Sequence, residues 1–153
     1  MNLPGKAIRT EALSYGVLGI FFVAAAALSL SGALPLTYDE AWTYIEFTRH
    51  GAVYSATHYP LPNNHVAFSI LEALVVPDTW VQSNPLWIRL GSLGALLATV
   101  LVLRRVLARL LGLSGLALGA AVAGLLLSSP LVTLYAVLAR GYGLGTLLLL
   151  VAV

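Results

Sequence analysis

The sequence predicts an all-α membrane protein: a polytopic bundle of transmembrane helices with further helices lying along its extracytoplasmic face. Three observations lead there. Of the 153 positions 59% are hydrophobic and only 9% charged, with mean hydropathy +0.92, whereas a soluble domain carries about a quarter charged residues. Uncharged runs on the scale of a bilayer crossing recur along the chain. Polar chemistry is concentrated instead in one stretch, Leu36 to His65. There is no cysteine, which excludes a disulfide framework, a thiol nucleophile and a Cys-based zinc site. The net charge of +2 is too small to argue for a nucleic-acid partner.

The first span is expected over residues 13–34, an uncharged run about as long as a ~30 Å hydrocarbon core requires. A secretory signal with Ser31-Gly32-Ala33 as its cleavage site is the competing reading. Signal cores run only about 7–15 residues and more apolar runs follow, so a retained helix is preferred. Lys6 and Arg9 ahead of it argue for a cytoplasmic N-terminus. After Pro35, Thr37 and Glu40 have the spacing of a capping box, which predicts a surface helix over 38–50 stopped by Gly51. Pro60 and Pro62 predict an irregular loop. A short interfacial or re-entrant helix is expected over 65–76, with Asn64 as N-cap and Pro77 as its end.

Asn84-Pro85 reads as a cap and first-turn proline opening a second span over 86–103, closed by Arg104, Arg105 and Arg109. The uncharged run from Leu110 to Ala139 predicts a third span over 112–133, kinked where Ser128-Ser129-Pro130 interrupts it. A fourth begins at Gly141 and is still incomplete at Val153, so the chain is expected to be the N-terminal part of a longer protein. Under this parse Lys6, Arg9, Arg104, Arg105 and Arg109 fall on one side, and Arg49, Arg89 and Arg140 on the other together with Asp39, Glu40, Glu46, Glu72 and Asp78. That is the positive-inside pattern of an inner-membrane protein with its acidic loop outside. Glycines four apart, Gly115 with Gly119 and Gly141 with Gly145, predict close helix packing.

Asp39 is the first candidate for chemistry: a carboxylate at the membrane boundary, suited to a general base, or else simply an acid favoured by a helix N-terminus. Glu40 divides in the same way between chemistry and its capping role. Tyr38, Trp42 and Tyr44 could equally form an interfacial belt. Arg140 is the only charge from Leu110 onward, and its guanidinium suits a phosphate; snorkelling at a span boundary is the plainer explanation. If Asp39 and Arg140 converge on one cavity they could bracket a headgroup, whereas a direct ion pair between them would favour a structural role. His50, His58 and His65 match no helical metal-ligand spacing, so no metal ligand is assigned; a divalent metal cofactor stays open.

These residues, in this order, resemble the N-terminal region of GT-C-fold glycosyltransferases. The likeness is carried by the Asp39-Glu40-Ala-aromatic segment, the Pro/Asn/His loop, Asn84-Pro85-Leu-Trp-Ile-Arg89, and Ala139-Arg140-Gly141-Tyr142. It is nearest to bacterial relatives of aminoarabinose transferases and protein O-mannosyltransferases. The resemblance implies transfer of a sugar from a polyprenyl-phosphate donor to an acceptor of unspecified kind at the outer face of the lipid bilayer. Asp39 is then the base, with Glu40 beside it in the catalytic set. Arg140, Asn64, His65 and Tyr142 form the candidate substrate-binding set. One-step displacement would invert the anomeric centre. Where aminoarabinose-type members place an acidic and a basic residue before two prolines, Asn63-Asn64-His65 stands here, which argues against that sugar. The competing functional class is a non-catalytic membrane subunit or a transporter.

Overall fold

In a computed structural model, residues 4–58 and 65–152 are described, and among them the chain is all-helical, with no strand. The elements run α1 (Pro4–Leu30), α2 (Tyr38–Glu46), a 3-10 turn (Thr48–His50), α3 (Ala52–Thr57), α4 (Val66–Val75) and α5 (Asp78–Ser83). A second 3-10 turn (Pro85–Arg89) then leads into α6 (Leu90–Leu111), followed by α7 (Gly115–Leu127), α8 (Pro130–Val137) and α9 (Tyr142–Ala152).

Two helical stretches, Arg9–Leu30 and Pro85–Leu111, are long and apolar enough to cross a membrane. They lie antiparallel. Near the start of α1, Ser14 accepts a hydrogen bond from Arg104 Nε at 3.1 Å and Glu11 pairs with the same guanidinium; at its end, Ser29 O accepts from Arg89 Nη1 at 2.7 Å. The core between them holds Leu18, Leu96, Val100, Leu118 and Val122. Helix α7 closes against α1 where Gly115 faces Thr10 and Gly119 faces Val17 and Ser14. A Cβ at position 119 would come within 3.0 Å of the Val17 Cβ, so small residues here serve the packing their spacing predicts.

Several boundaries differ from expectation, each for a local reason. Helix α1 ends at Leu30 rather than 34, where Gly32 takes a positive φ of 79°. The expected 38–50 helix breaks at Phe47, whose φ/ψ of −126°/−64° is not helical, and resumes as a 3-10 turn. Helices α3 and α5 lie in segments where no helix was expected. The expected third span is divided at Ser128-Ser129 into α7 and α8. At 13 residues, α7 falls short of the roughly 20 that a perpendicular crossing needs, while α9 runs to the last described residue, as the incomplete fourth run leads one to expect. Helix α6 carries Arg104, Arg105 and Arg109 within it rather than ending before them. The expected N-cap Asn64 lies outside the described residues; His65 occupies the N-cap position of α4, without a side-chain cap.

Candidate functional site

The site is built at the end of the bundle where α1 stops. The capping box forms as its spacing predicts: Thr37 Oγ1 accepts from the Glu40 N–H at 3.3 Å, and Glu40 Oε2 accepts from the Thr37 N–H at 2.9 Å. Capping does not exhaust Glu40. Its side chain is fully buried, and Arg89, equally buried, donates to Oε1 from Nε at 2.7 Å and to Oε2 from Nη2 at 2.9 Å. The remaining Arg89 donors reach the carbonyls of Ser29, Leu34 and Pro35 at 2.7–3.0 Å. All five guanidinium N–H groups thus have acceptors. Burial pushes the Glu40 carboxyl up, but the Arg89, Ala139 and Thr37 donors outweigh it and hold it below its ordinary value.

The Ala139 donor determines the layout of the site. Its N–H reaches Glu40 Oε1 at 2.8 Å across 99 residues of chain. Asp39 precedes Glu40 and Arg140 follows Ala139, so one buried hydrogen bond brings the two outer charges side by side. They form a direct ion pair, with the Asp39 side chain 50% exposed and that of Arg140 10%. Arg140 Nε is buried and has no partner among the described residues.

Three further groups complete the rim. The Tyr142 ring centroid lies 5.4 Å from the Arg140 guanidinium carbon and 4.8 Å, edge to face, from the His65 ring. His65 sits against Gly141 so closely that a Cβ there would come within 2.7 Å of its own Cβ, so position 141 requires glycine. Gly145, by contrast, faces open space, so the second glycine pair does not act as a unit. Burial, and behind it the charge of Arg140, lowers the His65 pKa against an opposing pull from Asp39; the imidazole is neutral at neutral pH. Its buried Nε2 has no partner among the described residues.

Behind His65 and Tyr142 opens a largely apolar cavity of about 500 Å³, floored by Leu96, Thr99, Leu126 and Leu149. Thr99 Oγ1 is buried there without a partner among the described residues. Asp39, Glu40 and Arg140 stand beside this cavity rather than in its wall. No protein-family model, curated protein or solved structure matches the chain.

Of the candidate residues, Asp39, Arg140, His65 and Tyr142 come together at one rim, and Glu40 lies sealed directly beneath. Asn64 is outside the described residues. His50 and His58 flank the Tyr54 ring, at 4.7 and 3.7 Å between centroids, while His65 faces Tyr142. No group of three or more potential metal-ligating side chains forms among the described residues. Sequence reasoning assigned Arg89 no site role. The signal was present: it is the only charge between Asp78 and Arg104, the same isolation that singled out Arg140.

Proposed function

We propose that the chain carries the catalytic rim of a GT-C-type membrane glycosyltransferase, which takes a sugar from a polyprenyl-phosphate donor at the extracytoplasmic face of a cell membrane. Arg9–Leu30 and Pro85–Leu111 would act as spans, with the Arg104 end cytoplasmic and the Asp39 end outside. The observation that carries this reading is the incomplete pairing of Arg140. A guanidinium committed to structure would resemble Arg89, with every donor used; Arg140 keeps a buried donor free and shares its carboxylate partner with solvent. Beside it the apolar cavity, edged by His65 and Tyr142, offers room for the lipid part of such a donor.

Asp39 acts as general base, taking the acceptor hydroxyl proton as that oxygen attacks the anomeric carbon. The leaving polyprenyl phosphate is stabilised by Arg140, which exchanges Asp39 for the phosphate when donor arrives and so releases the base. Glu40 passes from the catalytic set to a positioning role, since both its oxygens are occupied. The direct Asp39–Arg140 pair favours a second reading, a non-catalytic membrane subunit whose rim is structural.

Binding of a polyprenyl phosphate to the protein in lipid nanodiscs separates the two. Arg140→Ala is expected to weaken it by roughly ten- to hundredfold, the worth of a charge-assisted contact. In an active enzyme that contains this chain, Asp39→Asn should leave it largely intact while abolishing transfer from the polyprenyl-phosphate-linked sugar. Wild-type transfer by Asp39→Asn ends the base assignment, and equal binding by wild type and Arg140→Ala ends the phosphate assignment.

A further inference from the structure

Glu72 is the buried carboxyl for which the proposed site has no use. It lies on α4, 1% exposed. Its Oε1 accepts the N–H of Gly91, in the first turn of α6, at 2.7 Å, and the approach is so close that a Cβ on residue 91 would collide with that oxygen. Its Oε2 is buried with no partner among the described residues. Glu72 also lines a small cavity of about 10 Å³ shared with Glu40, Thr43, Tyr44 and Thr48, at the lower edge of what a single water needs.

No cation pairs with Glu72 among the described residues. Across the small cavity α2 presents the Glu40 carboxylate and Tyr44. Arg89 has spent all five donors on Glu40 and three carbonyls. The 3-10 turn packed on α4 contributes Thr48, with Arg49 hydrogen-bonded at the surface to the exposed His50. Helix α3 brings Tyr54, with His58 exposed just beyond it. Helix α6 carries no charge before Arg104, at its far end, and beyond Ala139 the charge of Arg140 is taken by Asp39. An ionised Glu72 would therefore be an unpaired buried anion beside another carboxylate, which costs far more than burying the neutral acid.

We propose that Glu72 is a proton-held latch: as a neutral acid it ties α4 to the head of α6, and its ionisation in alkaline solution releases α4 together with His65 at its N-terminus. The latch would thus control one wall of the rim, since His65 contacts Gly141 and Tyr142. Burial raises the Glu72 pKa from its ordinary 4.5 to about 8, against the opposing pull of the Gly91 N–H. With the folded value raised, the stabilisation is complete below about 4.5 and lost progressively as pH climbs through about 8.

The test is amide hydrogen exchange across α4 in the intact protein in nanodiscs, corrected for the intrinsic pH dependence of exchange. Between about pH 6.5 and pH 9.5, α4 protection in the wild type should fall roughly ten- to thirtyfold relative to α1. This is the linkage expected of an acid that titrates near 8 when closed and near 4.5 when open. Glu72→Gln, which keeps an acceptor for Gly91 without an ionisable proton, should show no such fall. A pH-independent wild type, or an equal fall in Glu72→Gln, overturns the latch. If Glu72→Gln does not fold, infrared spectra of the wild type decide. A protonated-carboxyl carbonyl band at neutral pH that disappears above about pH 8 supports the latch; absence of that band refutes it.

Discussion

Two arginine–carboxylate pairs stand next to each other and behave as opposites. Glu40–Arg89 has both side chains fully buried, bidentate contact and every guanidinium donor used. Asp39–Arg140 lies one residue away in each segment, Asp39 beside Glu40 and Arg140 beside the Ala139 whose N–H Glu40 accepts. Yet its acid is half exposed and its guanidinium incompletely satisfied. Both join an arginine to a carboxylate; burial and donor count separate them. A sealed pair has no free valence to offer a ligand, and only the open one can trade its partner for another anion.

The comparison breaks most visibly if the sealed pair is cut. Arg89→Ala leaves Glu40 buried without its counter-charge and three carbonyls without a donor, and is expected to cost about 3–5 kcal/mol. Thermal unfolding in detergent measures it, and a loss below about 1 kcal/mol would mean that the buried pair does not hold this end of the bundle together. Next comes Thr37→Ala, which removes the cap while leaving both ion pairs, at about 1 kcal/mol. Hydrogen exchange across α2 should rise, and unchanged protection would show that Glu40 alone holds the helix start. Smallest is Arg140→Ala, expected to change stability by less than about 1 kcal/mol because its partner is half in solvent. A loss as large as that of Arg89→Ala would erase the distinction and favour the structural reading of the rim.

Much of this was legible in the residues because it is local. The capping box at Thr37 and Glu40, the Asn84-Pro85 start and the Ser128-Ser129 break each depend on a few neighbouring side chains. That Asp39 and Arg140 belong to the same end of the bundle followed from counting helices. That they touch did not, because contact depends on a hydrogen bond from Ala139 to a glutamate 99 residues away. Glu40 was legible as a cap through its Oε2, while its Oε1 partners come from distant segments. Helices α3 and α5 escaped because six-residue helices show too little periodicity, and the prolines around them speak more loudly. Glu72 looked like a stray charge on an apolar helix, and only its approach to Gly91 explains why no cation accompanies it.

The bond from Ala139 to Glu40 also works as a gauge of chain length. A residue added or lost within α8 turns everything after it by about 100° around the helix axis, given 3.6 residues per turn. Ala139 would then miss Glu40, and Arg140 would swing away from Asp39. At the 128–129 joint, outside any helix, the same insertion has somewhere to go. Evolution can therefore lengthen this bundle at its joint far more readily than in the eight residues that lead to the rim.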